Sequence, residues 1–453
     1  MARRYKTVDY EQSGQQTITI DDVLPDDHLA RFIIRIVAML DMSAIYGAYG
    51  AVGGEAYAPD VLLSLLLYGY VTGVFSSRQI EQATYDRIPF MFIAGGMHPD
   101  HDTIAHFRKR FLVEIKVLFV QVLVIAQQQG YLKLGQISLD GSKIHADASK
   151  SHAVSWGYLP QLEQRLAAEV AELVALAEQA DQGDLPAEMN IGAEIAFRQE
   201  RLVNLARARA VLVARAQQRY QLEQAEYEAK MEARAERARQ QGHRPRGRVP
   251  KPPVAGPRAK DQYNLTDPAS AIMKNSNNAG FDQHYNAQAA VEHTSRLIVA
   301  NTLSAQPVDT DQAIPTVEAI PSVLGRPKAA ALDRNYFSPA NIEAFEMRGI
   351  EPYIATGREP HQRNWKLFFG QVPPEPPGEQ ASLIVKMAYK LRTQMGQAIY
   401  RLRKSTVEPV IGIIKETLGF RQFSLRGLEA AAGEWNLVCL AYNLKRLHIL
   451  MHP

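Results

Sequence analysis

Three acidic residues stand where chemistry is usually placed. Asp140 closes a period-two run, Gln136-Ile-Ser-Leu-Asp140, and Asp333 closes another, Ala329-Ala-Ala-Leu-Asp333. Ligands collect at strand ends in open α/β sheets, so two acids there could share a metal ion. A lone strand-end Asp more often only starts a turn. The third acid, Glu408, lies in an apolar setting, with Pro409 after it, Arg403 and Lys404 just upstream, and Lys415 seven positions on. That proline suits a first helical turn, and seven residues carry Lys415 two turns along the same helical face. Glu408 could simply cap a helix and pair with Arg403. An acid among apolar neighbours matched to basic residues is also what a metal site beside a phosphate requires.

The elements that must position these acids follow from periodicity. Leu29, Phe32, Ile33, Ile36 and Leu40 recur at helical steps, as do Val61, Leu62, Leu65, Leu66 and Tyr68, so residues 1–130 form a helical N-terminal domain. Met97 to Phe111 predicts a turn and a helix with Asp102 as N-cap and a basic cluster, Arg108, Lys109 and Arg110, one turn later, as a small helical DNA-binding domain could have. Residues 131–157 hold the first strand, which ends at Asp140 before Gly141. Helical stripes (Leu162, Leu166, Val170, Leu173; then Ile195, Leu202, Leu205, Leu212) make 158–260 a long helical hairpin followed by an extended basic linker, Gly242 to Pro253. In 261–453 a hairpin (Tyr285–Val291 with Leu297–Ala300) leads to a helix through Ile314–Ile320 and the strand ending at Asp333. Then come a helix over Pro339–Met347, a strand over Glu351–Ala355, a Pro-rich loop at 373–377 and two last helices. The sum is an α/β architecture: a mixed five-stranded sheet flanked by helices and interrupted once by a long helical insertion.

Composition bounds the rest. The chain has 453 residues, 46% hydrophobic and 22% charged, and its 51 Lys and Arg against 48 acids leave a net charge of +3. No overall polycationic character points to nucleic acid, so such a signal must be local. It is: between Lys386 and Arg446 there are eleven Lys or Arg against four Glu. A basic helical stretch is often only a solvated face, but this one coincides with Glu408. The single cysteine, Cys439, excludes a disulfide framework and a Cys-rich zinc site. Apolar runs are too short or interrupted to cross a bilayer and the polar start lacks a signal-peptide core, which predicts a soluble cytoplasmic protein, nucleoid-associated when bound to DNA, with no membrane partner.

Taken together, Asp140-Gly-Ser-Lys-Ile-His-Ala146, Leu332-Asp-Arg-Asn-Tyr-Phe337, and Tyr400-x-x-Arg403 leading to Glu408 and Lys415 resemble the catalytic elements of bacterial insertion-sequence DDE transposases with a Tyr-Arg-Glu-Lys signature. The eleven-eighty-two group is the best match. Arg87 to Arg108, Leu265-Thr-Asp-Pro-Ala-Ser270, Tyr285 to Val291 and Leu440 to Arg446 are similar to that family too, so the resemblance spans nearly the whole chain. Two departures stand out. Asn335 occupies a position near which family members carry Gly, and Asn suits a left-handed turn. The spacing from Arg403 to Glu408 is one residue longer than in the signature.

The resemblance implies a ribonuclease H-like fold and Mg²⁺-dependent cleavage of DNA at element ends, followed by strand transfer into target DNA. Two Mg²⁺ ions about 4 Å apart would sit in such a site, one activating the nucleophile and one stabilising the leaving oxygen. Asp140 would bridge both, with Asp333 and Glu408 each holding one. Mn²⁺ is a possible substitute. Arg108, Lys109, Arg110, Tyr400, Arg403, Lys404 and Lys415 would contact double-stranded DNA, and the active complex would be a homodimer or larger. The insert would serve assembly or DNA contact. Two rivals remain: a ribonuclease H-like nuclease that cuts without joining, and a non-catalytic DNA-binding protein. Asp147, Asp267 and Glu292 are expected to be structural, as are His145 and His152, which have no third ligand for a metal.

Overall fold

The computed structural model describes residues 20–50, 56–180, 190–245, 247–275, 280–357 and 375–452. Eight helices come first: α1 (Ile20–Val23), α2 (Leu29–Met39), α3 (Ser43–Gly47), α4 (Pro59–Thr72), α5 (Ser77–Asp86), α6 (Ile88–Ala94), α7 (His101–Arg110) and α8 (Leu112–Gln128). The expected stripe of α2 is buried at Phe32, Ile33, Ile36 and Val37, while α4 is apolar on every side and buried on nearly all of them. One expectation is corrected: α7 is capped by Asp100, whose side chain accepts from Thr103 N at 2.9 Å. The helix starts at His101, so Asp102 falls inside the first turn.

The sheet begins with β1 (Gln136–His145), which is longer than its sequence announces. It continues past Asp140 because β5 supplies an antiparallel partner throughout, from Ile137 opposite Glu292 to His145 opposite His284. Next come β2 (Ala153–Ser155), α9 (Leu159–Ala180), α10 (Ile191–Gln241), β3 (Gln262–Asn264), β4 (Ala271–Lys274), β5 (Phe281–Glu292) and β6 (Ile298–Ser304). α11 (Ala313–Glu318), β7 (Ala329–Leu332), α12 (Pro339–Met347) and β8 (Glu351–Ile354) complete the alternation. Across the sheet the order is β6-β5-β1-β7-β8, with β5 antiparallel to its neighbours and β1, β7 and β8 mutually parallel. A sixth strand, β4, shares the outer edge of β5 with β6. Its sequence, Ala271-Ile-Met-Lys274, carries no β-branched alternation and was not recognised as a strand.

Two helices make up the described part of the insertion. α9 and α10 run antiparallel, tied by Glu169 to Arg198 (2.9 Å) and by an ion pair of Glu163 with Arg209. They bury a core of their own around Leu162, Leu166, Leu205 and Leu212, and join the body through the two-stranded β2–β3 ladder. The linker after it is not loose: Arg234 donates to Pro245 O at 2.7 Å, and beyond the linker Arg258 reaches Glu223 at 2.7 Å and Asp261 holds Arg219 at 2.9 Å, so the returning chain lies along α10.

The end of the chain holds four helices where two were expected: α13 (Leu383–Arg392), α14 (Gln394–Ser405), α15 (Val407–Gly412) and α16 (Leu428–Met451). α13 turns sharply into α14 at Thr393. A Cβ at Gly396 would meet Lys390 O at 1.9 Å, so this turn requires glycine. The Pro-rich loop expected at 373–377 falls partly outside the described residues. α16 is buried along most of its length and packs against α4, α8 and β6, so the N-terminal helices and the sheet share one core. Among the described residues no single helix is long and apolar enough to cross a membrane.

Candidate active site

Register brings the first two acids together. β1 and β7 are parallel neighbours with Leu139 beside Leu332, and each acid is the next residue along. Adjacent strands lie about 4.8 Å apart, so Asp140 and Asp333 emerge side by side where the parallel pairing ends. Asp140 is thus a strand end towards β7 and mid-strand towards β5. Asp333 caps a 3-10 turn over Arg334–Tyr336, its carboxylate accepting from Asn335 N in a short hydrogen bond. That turn is right-handed. Arg296 is the one non-glycine residue with positive φ among the described residues, so the left-handed conformation expected at Asn335 is corrected.

A helix break delivers the third acid. α14 ends at Ser405 and α15 starts at Val407, with buried Thr406 between them at φ −117°, ψ −85°. Its Oγ1 stands 2.8 Å from Leu402 O and 3.2 Å from Ser138 Oγ, anchoring the break to the face of β1 that also carries Asp140. Arg403, in the last turn of α14, and Glu408, in the first turn of α15, therefore point to the same place. The Arg403 guanidinium gathers all three acids. Nη2 donates to Asp140 Oδ2 at 2.7 Å and lies 3.9 Å from Asp333 Oδ2, while Nη1 donates to Glu408 Oε1 at 2.8 Å.

Exposure grades outwards from this point. The side chains of Arg403, Asp140, Asp333 and Glu408 are 9, 20, 33 and 44% exposed. Burial pushes the Asp140 carboxyl up to about 6; Arg403 and the Gly141 N–H oppose the rise, and Asp333 and Glu408 add to it. Burial alone would lower Arg403, but Asp140 and its neighbours outweigh it and hold the guanidinium above its ordinary value. The Tyr336 hydroxyl is raised by burial and by Asp140, Asp309 and Asp333. Three carboxylates around one guanidinium leave an excess of negative charge facing solvent, an arrangement that can take up further cations. With Arg403 between them, no three His, Cys, Asp or Glu side chains share a common ion position among the described residues.

The other expected residues divide. Arg108 is corrected: it is buried, with Nη1 donating to Tyr70 Oη (3.0 Å) and Phe75 O (3.1 Å), so it faces the core. Arg403 likewise points into the acid cluster instead of presenting itself to a phosphate. Lys109 is exposed, and Arg110 bonds Ala48 O and stacks over Tyr49 and Phe111. Tyr400 packs against the small core beneath β7 and β8; Lys404 is exposed. Lys415 is half-buried, and burial lowers its ammonium. Asp267 accepts from Tyr285 Oη, Glu292 caps the turn at Ser295, and Asp147 pairs with Arg426. His145 packs against His284 with the rings tilted by 34°, and His152 bonds Thr266. Asp309, Gln288 and Tyr336 form a hydrogen-bonded group behind the turn that Asp333 caps. Nothing in their spacing pointed to them; the one signal was Gly141 directly after Asp140.

A mixed sheet that sets two acids on adjacent parallel strands against a helix-borne Glu defines an acidic α/β site. Two family models match the chain: a Transposase domain (DUF772) over residues 18–110 and a Transposase DDE domain over residues 378–448. The second covers Arg403 and Glu408. Together the matches support an insertion-sequence DDE transposase; they do not single out a group or signature within it. No curated protein and no solved structure matches the chain.

Proposed function

We propose that the protein cuts DNA at the ends of an insertion sequence and joins those ends to target DNA, with Asp140, Asp333 and Glu408 as the catalytic triad of a ribonuclease H-like domain. The observation that carries this reading is the convergence on Arg403 of three acids that lie far apart in sequence. The strand order, with only β5 reversed in the sequence β6-β5-β1-β7-β8, supports the fold assignment.

The donor set fits divalent ions: hard carboxylate oxygens that already share one cation and outnumber it. Asp140, Asp333 and Glu408 would hold Mg²⁺, or Mn²⁺ in its place. Bound there, such ions activate the attacking oxygen and stabilise the leaving one. Arg403 now occupies Asp140 Oδ2 and Glu408 Oε1, so the guanidinium and an incoming ion compete for the same acceptors. Once freed of them, Arg403 is placed to meet a phosphate, beside Lys404 and with Lys415 in the π-helical turn, Ile413–Thr417, that follows α15. Lys109 on α7 and the basic linker of the insert are candidates for sequence-independent contact with duplex DNA. The N-terminal helices would bind element ends, and the insert would help assemble a dimer or larger complex.

The test is a plasmid carrying the flanking element ends, incubated with protein and Mg²⁺, followed by a joining assay with labelled 3′-hydroxyl ends. Cleavage and joining that both disappear with Asp140→Asn are expected. Cleavage without joining would make the protein a nuclease, and binding without cleavage would make it a DNA-binding protein.

A further inference from the structure

We propose that Gln288 is a positioning residue for the Asp140–Asp333 pair, acting from the opposite face of the sheet through Gly141 and Tyr336. The inference rests on the reading of those acids as metal ligands. Gln288 lies on β5 directly opposite Gly141 on β1 and is fully buried. Side chains alternate along a strand, so the face of Gly141 is the one turned away from Asp140. The Gln288 amide lies across the backbone there: a Cβ at position 141 would come within 2.1 Å of Gln288 Nε2 and 2.9 Å of Asp309 Oδ1. Glycine after the catalytic acid is therefore the space the amide needs, where the sequence suggested a turn.

Every polar atom of that amide is used. Nε2 donates to Asn286 Oδ1 (3.0 Å) and Asp309 Oδ1 (3.1 Å), and Oε1 accepts a short hydrogen bond from Tyr336 Oη. Because Asp309 can only accept and Tyr336 donates, the orientation of the amide is fixed. Tyr336 closes the 3-10 turn that Asp333 caps. The same turn is gripped twice more from the segment after β6: Asn335 Nδ2 faces Asp309 Oδ2 at 3.4 Å, and Thr310 Oγ1 donates to Asn335 O at 2.6 Å. One side chain thus touches the backbone beside Asp140 and, through a hydroxyl, the turn that carries Asp333. Outer residues that orient the ligands of an ion contribute to its affinity without touching it.

The competing account is a buried polar network that only stabilises the fold. The two separate on Mn²⁺ affinity, measured on the full chain without DNA from the free-Mn²⁺ electron paramagnetic resonance signal, alongside thermal unfolding. Tyr336→Phe removes one hydroxyl and keeps the ring; Gln288→Met removes the amide at nearly equal volume. We expect each to weaken Mn²⁺ binding about tenfold, the scale of outer-residue effects at metal sites. Cleavage should fall more in Mg²⁺ than in Mn²⁺, since Mg²⁺ demands the stricter octahedral geometry. Lower unfolding temperatures with unchanged Mn²⁺ affinity would overturn the positioning role alone, provided wild type binds and Asp140→Ala does not. If wild type binds no Mn²⁺, the metal reading falls and this inference with it. Should Gln288→Met fail to fold, Tyr336→Phe decides.

Discussion

Two arginines are equally buried in this protein and sit in opposite surroundings. Arg108 on α7 donates to Tyr70 on α4, and Tyr70 donates to Glu434 on α16 at 3.1 Å. Glu434 is fully buried, and its oxygens also accept from Ser424 N (2.9 Å), Leu425 N (3.0 Å) and the Ser424 hydroxyl. There one acid answers one cation and the carboxylate's acceptor sites are filled by fixed donors. Around Arg403 three acids answer one cation, they open progressively to solvent, and among the described residues Asp140 has only the Gly141 N–H at 2.9 Å besides the guanidinium. A closed, balanced cluster is a brace between helices; an open one with surplus acid holds acceptors in reserve for another cation.

The largest effect should come from the open cluster. Asp140→Ala is expected to lower Mg²⁺-dependent cleavage at least about a thousandfold, about 4 kcal/mol of transition-state stabilisation, while DNA binding and the far-ultraviolet spectrum stay unchanged. Residual cleavage near the wild-type rate would remove Asp140 from the site. The brace should respond in the other currency. Glu434→Leu keeps roughly the volume but leaves the backbone donors of Ser424 and Leu425 without an acceptor and Arg108 without its buried counter-charge, and should cost about 3 kcal/mol in urea unfolding. Stability within experimental error of wild type would show that Glu434 is no brace.

The difference between the clusters was only half legible in the sequence. Asp140 and Asp333 were readable because each ends a short apolar run, and Glu408 because Tyr400, Arg403, Glu408 and Lys415 share one stretch. The role of Arg108 was not, since helical periodicity places it in the last turn of α7 but cannot say that Tyr70, 38 residues earlier, waits on the facing helix. β1 was cut short at Asp140 for a similar reason: the ladder that carries it to His145 comes from β5, far along the chain, and Gly141 imitates a turn. The order of strands and helices along the later chain and the helix at Pro339–Met347 depend on local pattern and emerged as expected. The sharp turn at Thr393 and the short strands β2, β3 and β4 are set by partners that no local window contains.

Acid titration sharpens the comparison further. Burial raises Asp140 to about 6, so between the ordinary carboxylate range and that value the folded chain binds a proton that the unfolded chain has lost. Stability must then fall as pH rises through this window and level off above it. In metal-free buffer the drop attributable to Asp140 should be about 2 kcal/mol, allowing for its partial exposure. Asp140→Asn should remove it, so the two unfolding curves converge near pH 4 and separate by pH 7, with the variant the more stable. Parallel pH profiles would mean that Arg403 neutralises Asp140 fully and that the cluster carries no surplus charge.

The smallest effect tests how the brace receives its arginine. Asp100 caps α7 twice over, Oδ1 accepting from Thr103 N at 2.9 Å and Oδ2 from Thr103 Oγ1 at 2.6 Å; these bonds draw its carboxyl below the ordinary range. Asp102, the residue that sequence spacing favoured, lies in the first turn with its side chain 90% exposed. Removing a cap typically costs about 1 kcal/mol, so Asp100→Ala should destabilise by that amount at pH 7, whereas Asp102→Ala should stay within about 0.5 kcal/mol. Because α7 carries Arg108 to Tyr70 at its far end, fraying of its first turn should also speed hydrogen exchange along α7 and leave the Arg403 cluster untouched. If Asp102→Ala proved the costlier substitution, the helix would begin one turn position later than it does here, and the link from cap to brace would fail with it.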